Sequence, residues 1–575
     1  MQGKNNAVMW RTWSFRFFWI LLTCLFFKYA WLSEDAFINF RVIENFKAGD
    51  GLTWNPGERV QVFTSALWML LTLVASVVTG SSLIGTLVMS FLLVLAAFWH
   101  LFKATDRIVT LFLPLAVFYV LCPSIRDYLS SGLETPLLMC VLAWFTSVAT
   151  SPVRATWRRI CFLGAICVLV RHDTALLILP FLIQRLYGLR WWVGGREAGR
   201  AALDACIGLS PVMVWTVFSV VYYGAVVPNT AGAKMVSGFD TLAQAGYYFV
   251  FMQYFDPAAY SLIFLSLLVV VGMRSRYAFP LVSALLLFLI YLLLVGSDYM
   301  AGRFFVGPLT LCVVVLAAAI RDEISNSYFI KSTLVSGFTH FEVILLLVVN
   351  MVFAGRALTV LNDSEFRGDQ SFLFHGIADE RNYYYGKTDI YTILSTGVQH
   401  YYVERAKSMN AALSAGKNIF VACNIGMTGY YANRRVYIVD PLALSDRFLA
   451  SLPLSQGPVR IGHFERLVPN EYISSLMLGR NMFTQPVLRN YYGDMRLVVS
   501  GPLFSYARWV AIWRVSSGIY KRDLARLTPA DGGGALRVTA LDASTPDVVK
   551  RCLGAGGRVM VPDISSGRMV LNVLQ

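Results

Sequence analysis

A polytopic α-helical membrane bundle followed by a soluble α/β domain is the fold this sequence predicts. Three observations carry that reading. Of the 575 residues, 57% are hydrophobic and only 14% are charged, against about 45–50% and about 25% in soluble globular domains. Apolar runs long enough to cross a bilayer recur through the first 360 residues. Beyond Leu361 those runs stop, and short β-like stretches such as Asn418–Cys423 and Arg434–Asp440 alternate with helical patterns.

The candidate spans are residues 14–33, 82–103, 107–122, 135–150, 158–171, 173–188, 201–223, 257–273, 277–295, 303–320 and 338–360. They number about eleven, so the termini fall on opposite sides of the membrane. Residues 158–188 are read as two elements because Arg171, His172 and Asp173 interrupt the apolar run. Basic residues collect in alternate loops: Lys103 and Arg107, then Arg154, Arg158 and Arg159, then Arg196 and Arg200, then Arg274 and Arg276, then Arg321. With Lys4 and Arg11 before the first span, this pattern puts the N-terminus in the cytoplasm and everything after about residue 360 outside. Much of the formal charge of +15 is thus topological and gives no reason to expect nucleic acid. The first apolar segment has no small-residue cleavage site, so a removable signal is not expected. The nine cysteines form no CxxC pair, and most lie in spans. Cys423 and Cys552 fall in the outer domain and are a candidate disulfide.

Two domains follow: residues 1–360, the membrane part, and 361–575, an extracytoplasmic α/β domain of about 215 residues, large enough for its own core. The first outer loop, 34–81, opens with an amphipathic segment in which Phe37, Phe40 and Ile43 recur at helical spacing. A turn-rich piece (Ala48–Val60) follows, then an apolar helix at 64–80. Counting that helix as a span would put Lys103 and Arg107 outside, so it is read as interfacial or re-entrant. No repeat of 20–50 residues is present, and residues 470–575 suggest no role.

On this topology the unusual polar groups at membrane depth share the outer side: Glu34 and Asp35; Arg126, Asp127 and Glu134; Arg171, His172 and Asp173; Asn229 and Lys234; Asp298, Tyr299 and Arg303. Such groups are costly in a membrane and tend to be paired and functional. Each has a plainer reading. Ser33 with Glu34 and Asp35 also reads as an N-cap with acids in the first turn, Arg171 and Arg303 as interfacial anchors, Lys234 as a snorkelling side chain, and His172 as a structural histidine. Together they suit transfer from a lipid-linked phosphate. Lys234 and Arg303 would bind the phosphate, and Asp35 would orient or deprotonate an acceptor hydroxyl. The scattered histidines speak against a transition-metal site, with a divalent cation on carboxylates as the alternative counter-charge for the donor phosphate.

The blocks "SEDAFINFRVIENFKAGDGLTWNPGERVQVFTSALW", "SGLETP", "RHDTALL", "PNTAGAK", "GSDYMAGRFF", "VDPLALSDRFLA" and "RIGHFER" resemble the membrane-embedded GT-C glycosyltransferases. The specific likeness is to the mycobacterial and corynebacterial terminal β-(1→2)-arabinofuranosyltransferases. The resemblance implies a decaprenyl-phosphoryl-arabinofuranose donor, a cell-wall arabinan acceptor (arabinogalactan or lipoarabinomannan termini), and action on the outer face of the bacterial plasma membrane. It maps a catalytic acid onto Asp35 with Glu34 beside it, and donor-phosphate contacts onto Lys234 and Arg303. Sugar or acceptor positioning falls to Glu134, Arg171, His172, Asn229, Asp298, Tyr299 and His463, with Asp440 a weaker candidate. "RHDT" stands where relatives carry Arg-Pro-Asp/Glu-Gly, and "RIGH" where they carry Arg-Pro-Gly-His; these departures bear on the acceptor. A β-linked donor giving a β-linked product is net retention, which would make Asp35 a nucleophile or an oxocarbenium stabiliser rather than a simple base. Three alternatives stand beside this reading: another polyprenyl-phosphate sugar, a protein (pilin) acceptor, or a transporter of lipid-linked sugars. A transporter predicts polar residues in both halves of the bundle and internal repeats.

Overall fold

A computed structural model describes residues 2–151, 153–189, 194–234, 240–326, 373–414, 416, 418–454, 461–466, 468–527, 537–538, 559–563 and 568–572. The first part of the chain is built of helices: α1 Gln2–Tyr29, α2 Ala36–Lys47, α3 Ala66–Thr79, α4 Ser82–Ala104, α5 Val109–Leu121, α6 Pro123–Arg126, α7 Thr135–Ala149, α8 Trp157–Val170, α9 Thr174–Gly188, α10 Gly195–Tyr223, α11 Asn229–Lys234, α12 Thr241–Phe255, α13 Pro257–Gly272, α14 Ala278–Val295 and α15 Val306–Asn326. An antiparallel hairpin, β1 (Leu373–Phe374) and β2 (Ile377–Ala378), comes next. After it run α16 Glu380–Thr388, α17 Ile390–Ser395, α18 Tyr401–Ser414, β3 Ile419–Val421, α19 Ile425–Tyr431, β4 Tyr437–Val439, α20 Asn470–Leu478, α21 Pro486–Ser500 and α22 Tyr506–Ser516. The predicted span 338–360, Arg460 and Cys552 lie outside the described residues.

Among the described residues, four helices are long and apolar enough to cross a membrane: α4, α10, α14 and the stretch Arg303–Ser325 that contains most of α15. The chain is a helical membrane protein. A fifth candidate is α12 with α13, bent by 98° at Asp256. By sequence 257–273 alone reads as a span, because the polar and aromatic residues of α12 (Gln244, Tyr247, Tyr248, Gln253) mask its helical run. The buried Asp256 carboxylate makes the bend, accepting the main-chain N–H of Ala259 at 2.9 Å and of Ser124 at 2.8 Å, with Pro257 opening α13. Between α8 and α9 the chain breaks at Arg171–Asp173, where the charges interrupt the apolar run. The helix read as interfacial, α3, starts on a Ser65 side-chain cap and stops at left-handed Gly80. It lies against α4 at Gly85, where a Cβ would stand 2.7 Å from the Ala75 main chain.

Two compact units make up the chain. One comprises residues 1–32, 65–213 and 240–390; α15 runs through its core, with Val306 to Ala319 buried. Tyr119 Oη pairs with Thr310 Oγ1 at 2.6 Å there. The other comprises 33–64, 214–239 and 391–575. Its strands β3 and β4 pair in parallel, and α2 packs Phe37 and Phe40 against Tyr430 of α19, with ring centroids 5.6 and 5.8 Å apart. Residues 34–64 of the first outer loop, grouped by sequence with residues 1–360, therefore fold with residues from 391 on, while α3 stays with the first unit. Polar groups explain this. Arg41, buried, donates to the carbonyls of Trp54, Gly429 and Val436 and covers the Trp54 ring. Asn55 bonds both the N–H and the C=O of Ile438. Cys423 is disulfide-bonded.

Candidate functional site

The second unit holds the adjacent carboxylates. Asp35 occupies the N-cap position of α2 but makes no side-chain cap bond, and Ser33 Oγ is buried without a hydrogen-bond partner among the described residues. The capping expected of "SED" is thus absent from α2. Glu34 instead serves another helix: its Oε1 accepts the N–H of Gly426 at 2.6 Å and of Met427 at 3.2 Å, at the start of α19. Those amides lack intrahelical partners and carry the positive end of the helix, so a carboxyl group suits them.

The turn before α19 is braced. Asn424 adopts a left-handed φ of 52°, and Arg405 donates to the carbonyls of Cys423 (2.7 Å) and Asn424 (2.9 Å) and to Thr428 Oγ1. Burial, then the neighbouring Asp35, push the Glu34 carboxyl up to about 8, against the pull of the two amides and Arg405. That direction favours the protonated form of Glu34, whose Oε1 serves as an anchor for α19. Gly426 is required: a Cβ there would lie 2.7 Å from Glu34 Oε1 and nearer still to its main-chain oxygen.

Asn229, Lys234, His463 and Asp440 also lie in the second unit. Buried Asp440 accepts the N–H groups of Leu442, Leu444 and Ser445 and shapes the loop that follows β4. Asn229 donates to the carbonyls of Ala443 (2.8 Å) and Leu444 (3.0 Å), and Arg466 to Ala233. These bonds seat α11, which ends at half-buried Lys234. His463 Nδ1 lies 3.3 Å from the Ile461 carbonyl.

The remaining predicted residues belong to the first unit, where the structure gathers most of them. Arg171 forks onto Asp173 (3.0 and 2.6 Å) and reaches Glu134 at 2.8 Å. Arg303 forks onto Asp298 (2.7 and 2.8 Å). The Phe304 ring centroid lies 4.7 Å from Arg171 Cζ and 5.5 Å from Arg303 Cζ, joining the pairs. The loop between α14 and α15 explains the spacing of "GSDYMAGR". Gly296, Ser297 and Gly302 have φ of 76°, 65° and 85°, and a Cβ on Gly302 would stand 3.1 Å from Ser124 Cα. β2 clamps this loop, with Ala378 N–H donating to Tyr299 and Ala301 N–H to Ala378. Three carboxylates face two guanidinium groups, so the cluster is not electropositive by itself. His172 is exposed.

Sequence reasoning missed Arg381, Arg405 and Gly426. Arg381 stacks on Tyr29 and Tyr385 and lies 3.8 Å from Asp127; its only signal was a charge beside the aromatic run Tyr383–Tyr385. Arg405 lies in an ordinary amphipathic helix, with no signal at all. Among the described residues no three of His, Cys, Asp and Glu gather as metal ligands.

No protein-family model matches the chain. Over 228 residues it is 32% identical to the terminal β-(1→2)-arabinofuranosyltransferase of Mycobacterium tuberculosis, covering 36% of this chain and 35% of that protein. Over 337 residues it is 29% identical to the protein of the same name from Corynebacterium glutamicum, covering 48% and 46%. The matches thus span less than half of these relatives' lengths. Among solved structures, ArnT from Cupriavidus metallidurans bound to undecaprenyl phosphate matches 74% of this chain and 85% of its own, at 14% identity and TM-score 0.45. The arabinofuranosyltransferase AftD from Mycobacteria matches 78% and 35%, at 16% identity and TM-score 0.43.

Proposed function

We propose that this chain is a GT-C membrane glycosyltransferase that moves arabinofuranose from polyprenyl-phosphoryl-arabinofuranose to a cell-wall arabinan, forming a β-(1→2) linkage on the outer face of the plasma membrane. The names of the two bacterial relatives support the sugar and the linkage. The single observation that carries the chemistry is the division of labour within Glu34–Asp35. Glu34 is buried and held by the Gly426 and Met427 amides at the start of α19, which fixes the main chain that presents Asp35 at the N-cap position of α2.

In this reading Asp35 acts at the anomeric carbon. The bond from that carbon to the phosphate oxygen breaks, and polyprenyl phosphate leaves with the electron pair. The acceptor hydroxyl forms the new bond and gives its proton to Asp35 in the inverting case or to the departing phosphate in the retaining one. With retention, Asp35 is the nucleophile or the stabiliser of the oxocarbenium-like centre; with inversion it is the base. Lys234 and Arg303 serve the phosphate, the cluster of Glu134, Arg171, Asp298 and Tyr299 the sugar, and His463 the acceptor. The topology that goes with it has about eleven spans, a cytoplasmic N-terminus and an extracytoplasmic C-terminal domain.

The test is transfer by the purified full chain from synthetic polyprenyl-phosphoryl-arabinofuranose to a short arabinan, wild type beside Asp35→Asn, with the product linkage read by NMR. Transfer by the wild type and its loss in a folded Asp35→Asn are expected. No donor consumption by the wild type would overturn the arabinose assignment, and full activity in Asp35→Asn would remove the carboxylate from the chemistry.

A further inference from the structure

A basic concavity of the first unit has no part in this chemistry. It encloses about 1020 Å³ and is lined by Lys103, Arg107, Arg154, Arg274, Arg276 and Arg321, facing Asp106, Asp322 and Glu323. Six basic side chains against three acidic ones leave a surplus of three positive charges. The rim is formed where α4, α13 and α15 end and α14 begins. Three of these helices belong to membrane-capable spans and α13 to the bent pair, so the bowl stands at the depth of lipid headgroups.

A tendency of basic residues to collect on one side of a membrane accounts for their presence in loops, but not for their arrangement around a hollow. Two features go beyond it. Buried Arg321 is a fixed strut: it donates to the last carbonyls of neighbouring helices, Ala104 and Thr150, at 3.0 Å each, and pairs with Asp322, which also takes Arg276. Among the described residues, Lys103, Arg107, Arg154 and Arg274 form no ion pair within the cavity or outside it. The backbone is also strained toward this site. Asp106, Arg107 and Arg274 have φ of 53°, 65° and 49°, a conformation that glycine adopts without cost. Charged side chains are kept where glycine would relieve the chain. Burial, then Arg321 and Arg159, lower the affinity of Arg154 for its proton, against the opposing pull of Asp106, as expected where guanidinium groups outnumber their counter-charges.

We infer that this bowl binds the phosphate-bearing headgroup of an anionic lipid. A phosphodiester supplies the missing counter-charge and several acceptor oxygens, which the planar forks of Arg107, Arg154 and Arg274 match. The volume suits a headgroup better than a bare phosphate.

The experiment uses the full chain in a neutral detergent with equimolar phosphatidylglycerol and phosphatidylcholine, the lipids retained being counted by native mass spectrometry. The wild type is expected to retain phosphatidylglycerol in clear excess. The double variant Arg107→Gln/Arg274→Gln is expected to lose that excess, about fivefold for each cation removed. Arg434→Gln, a cation paired with Asp50 elsewhere, is expected to keep it. Equal retention of the two lipids by the wild type overturns the inference whether or not the double variant folds. Unchanged selectivity in a folded double variant overturns it as well, and so does displacement of the lipid by millimolar inorganic phosphate, which would mark a site for a soluble anion.

Discussion

Gly426→Ala tests the link between the two amides and the adjacent carboxylates. In the wild type the Gly426 N–H donates to Glu34 Oε1 at 2.6 Å, and an added Cβ would stand 2.7 Å from that same oxygen and closer to the Glu34 carbonyl. Ordinary contact begins at 3.4 Å, so Glu34 Oε1 must retreat by about 0.7 Å and the nearer main-chain oxygen of Glu34 by more, on the scale at which misplacement costs about 10²-fold in rate. Overpacking of this kind costs about 1–3 kcal/mol of stability. Gly429→Ala is the control. It sits one turn along the same helix, and its Cβ would press on the Trp54 ring and on Arg41 Cδ at 3.1 Å. Both variants are expected to unfold at lower temperature. In the transfer assay with polyprenyl-phosphoryl-arabinofuranose, only Gly426→Ala is expected to lose kcat by about 10²-fold, with its loss exceeding that of Gly429→Ala at equal folded fraction. Wild-type kcat in folded Gly426→Ala would refute the idea that α19 positions the carboxylates.

Arg303→Lys keeps the charge but not the fork onto Asp298, and is expected to destabilise by about 1–3 kcal/mol in thermal or denaturant unfolding, through the lost second hydrogen bond. Arg41→Lys cannot reach the three carbonyls that Arg41 now serves; with about 1–3 kcal/mol for each buried group left unpaired, the second unit should become protease-sensitive before the first. Burial, then Asp446, push Glu58 up to about 8, and burial pushes Asp446 up to about 6. Both carboxyls bind protons more tightly folded than unfolded, so they favour the folded state at low pH and that contribution is lost as pH rises through about 6 and then about 8. Unfolding temperature is therefore expected to fall between pH 5 and pH 8.5, and Glu58→Gln to flatten the slope.

What the sequence determined by itself is what depends on neighbours along the chain. The apolar runs of α4, α10, α14 and α15 are helices because every backbone group in an apolar setting must bond within its own segment. The charges at Arg171–Asp173 interrupt such a run, and the glycines of "GSDYMAGR" mark a left-handed turn. Phe37 and Phe40 face a partner because helical spacing puts them on one side. Only the tertiary structure decided what those elements meet. "SED" reads as a cap for the helix that follows it, yet Glu34 caps α19, nearly four hundred positions along the chain. α12 is hidden by its own polar residues until Asp256 turns it. Arg405 carries no local signal, since a guanidinium that braces a distant turn looks like any solvated arginine. Side-chain chemistry is written locally, but its partners and its charge state follow from burial, which no local stretch contains.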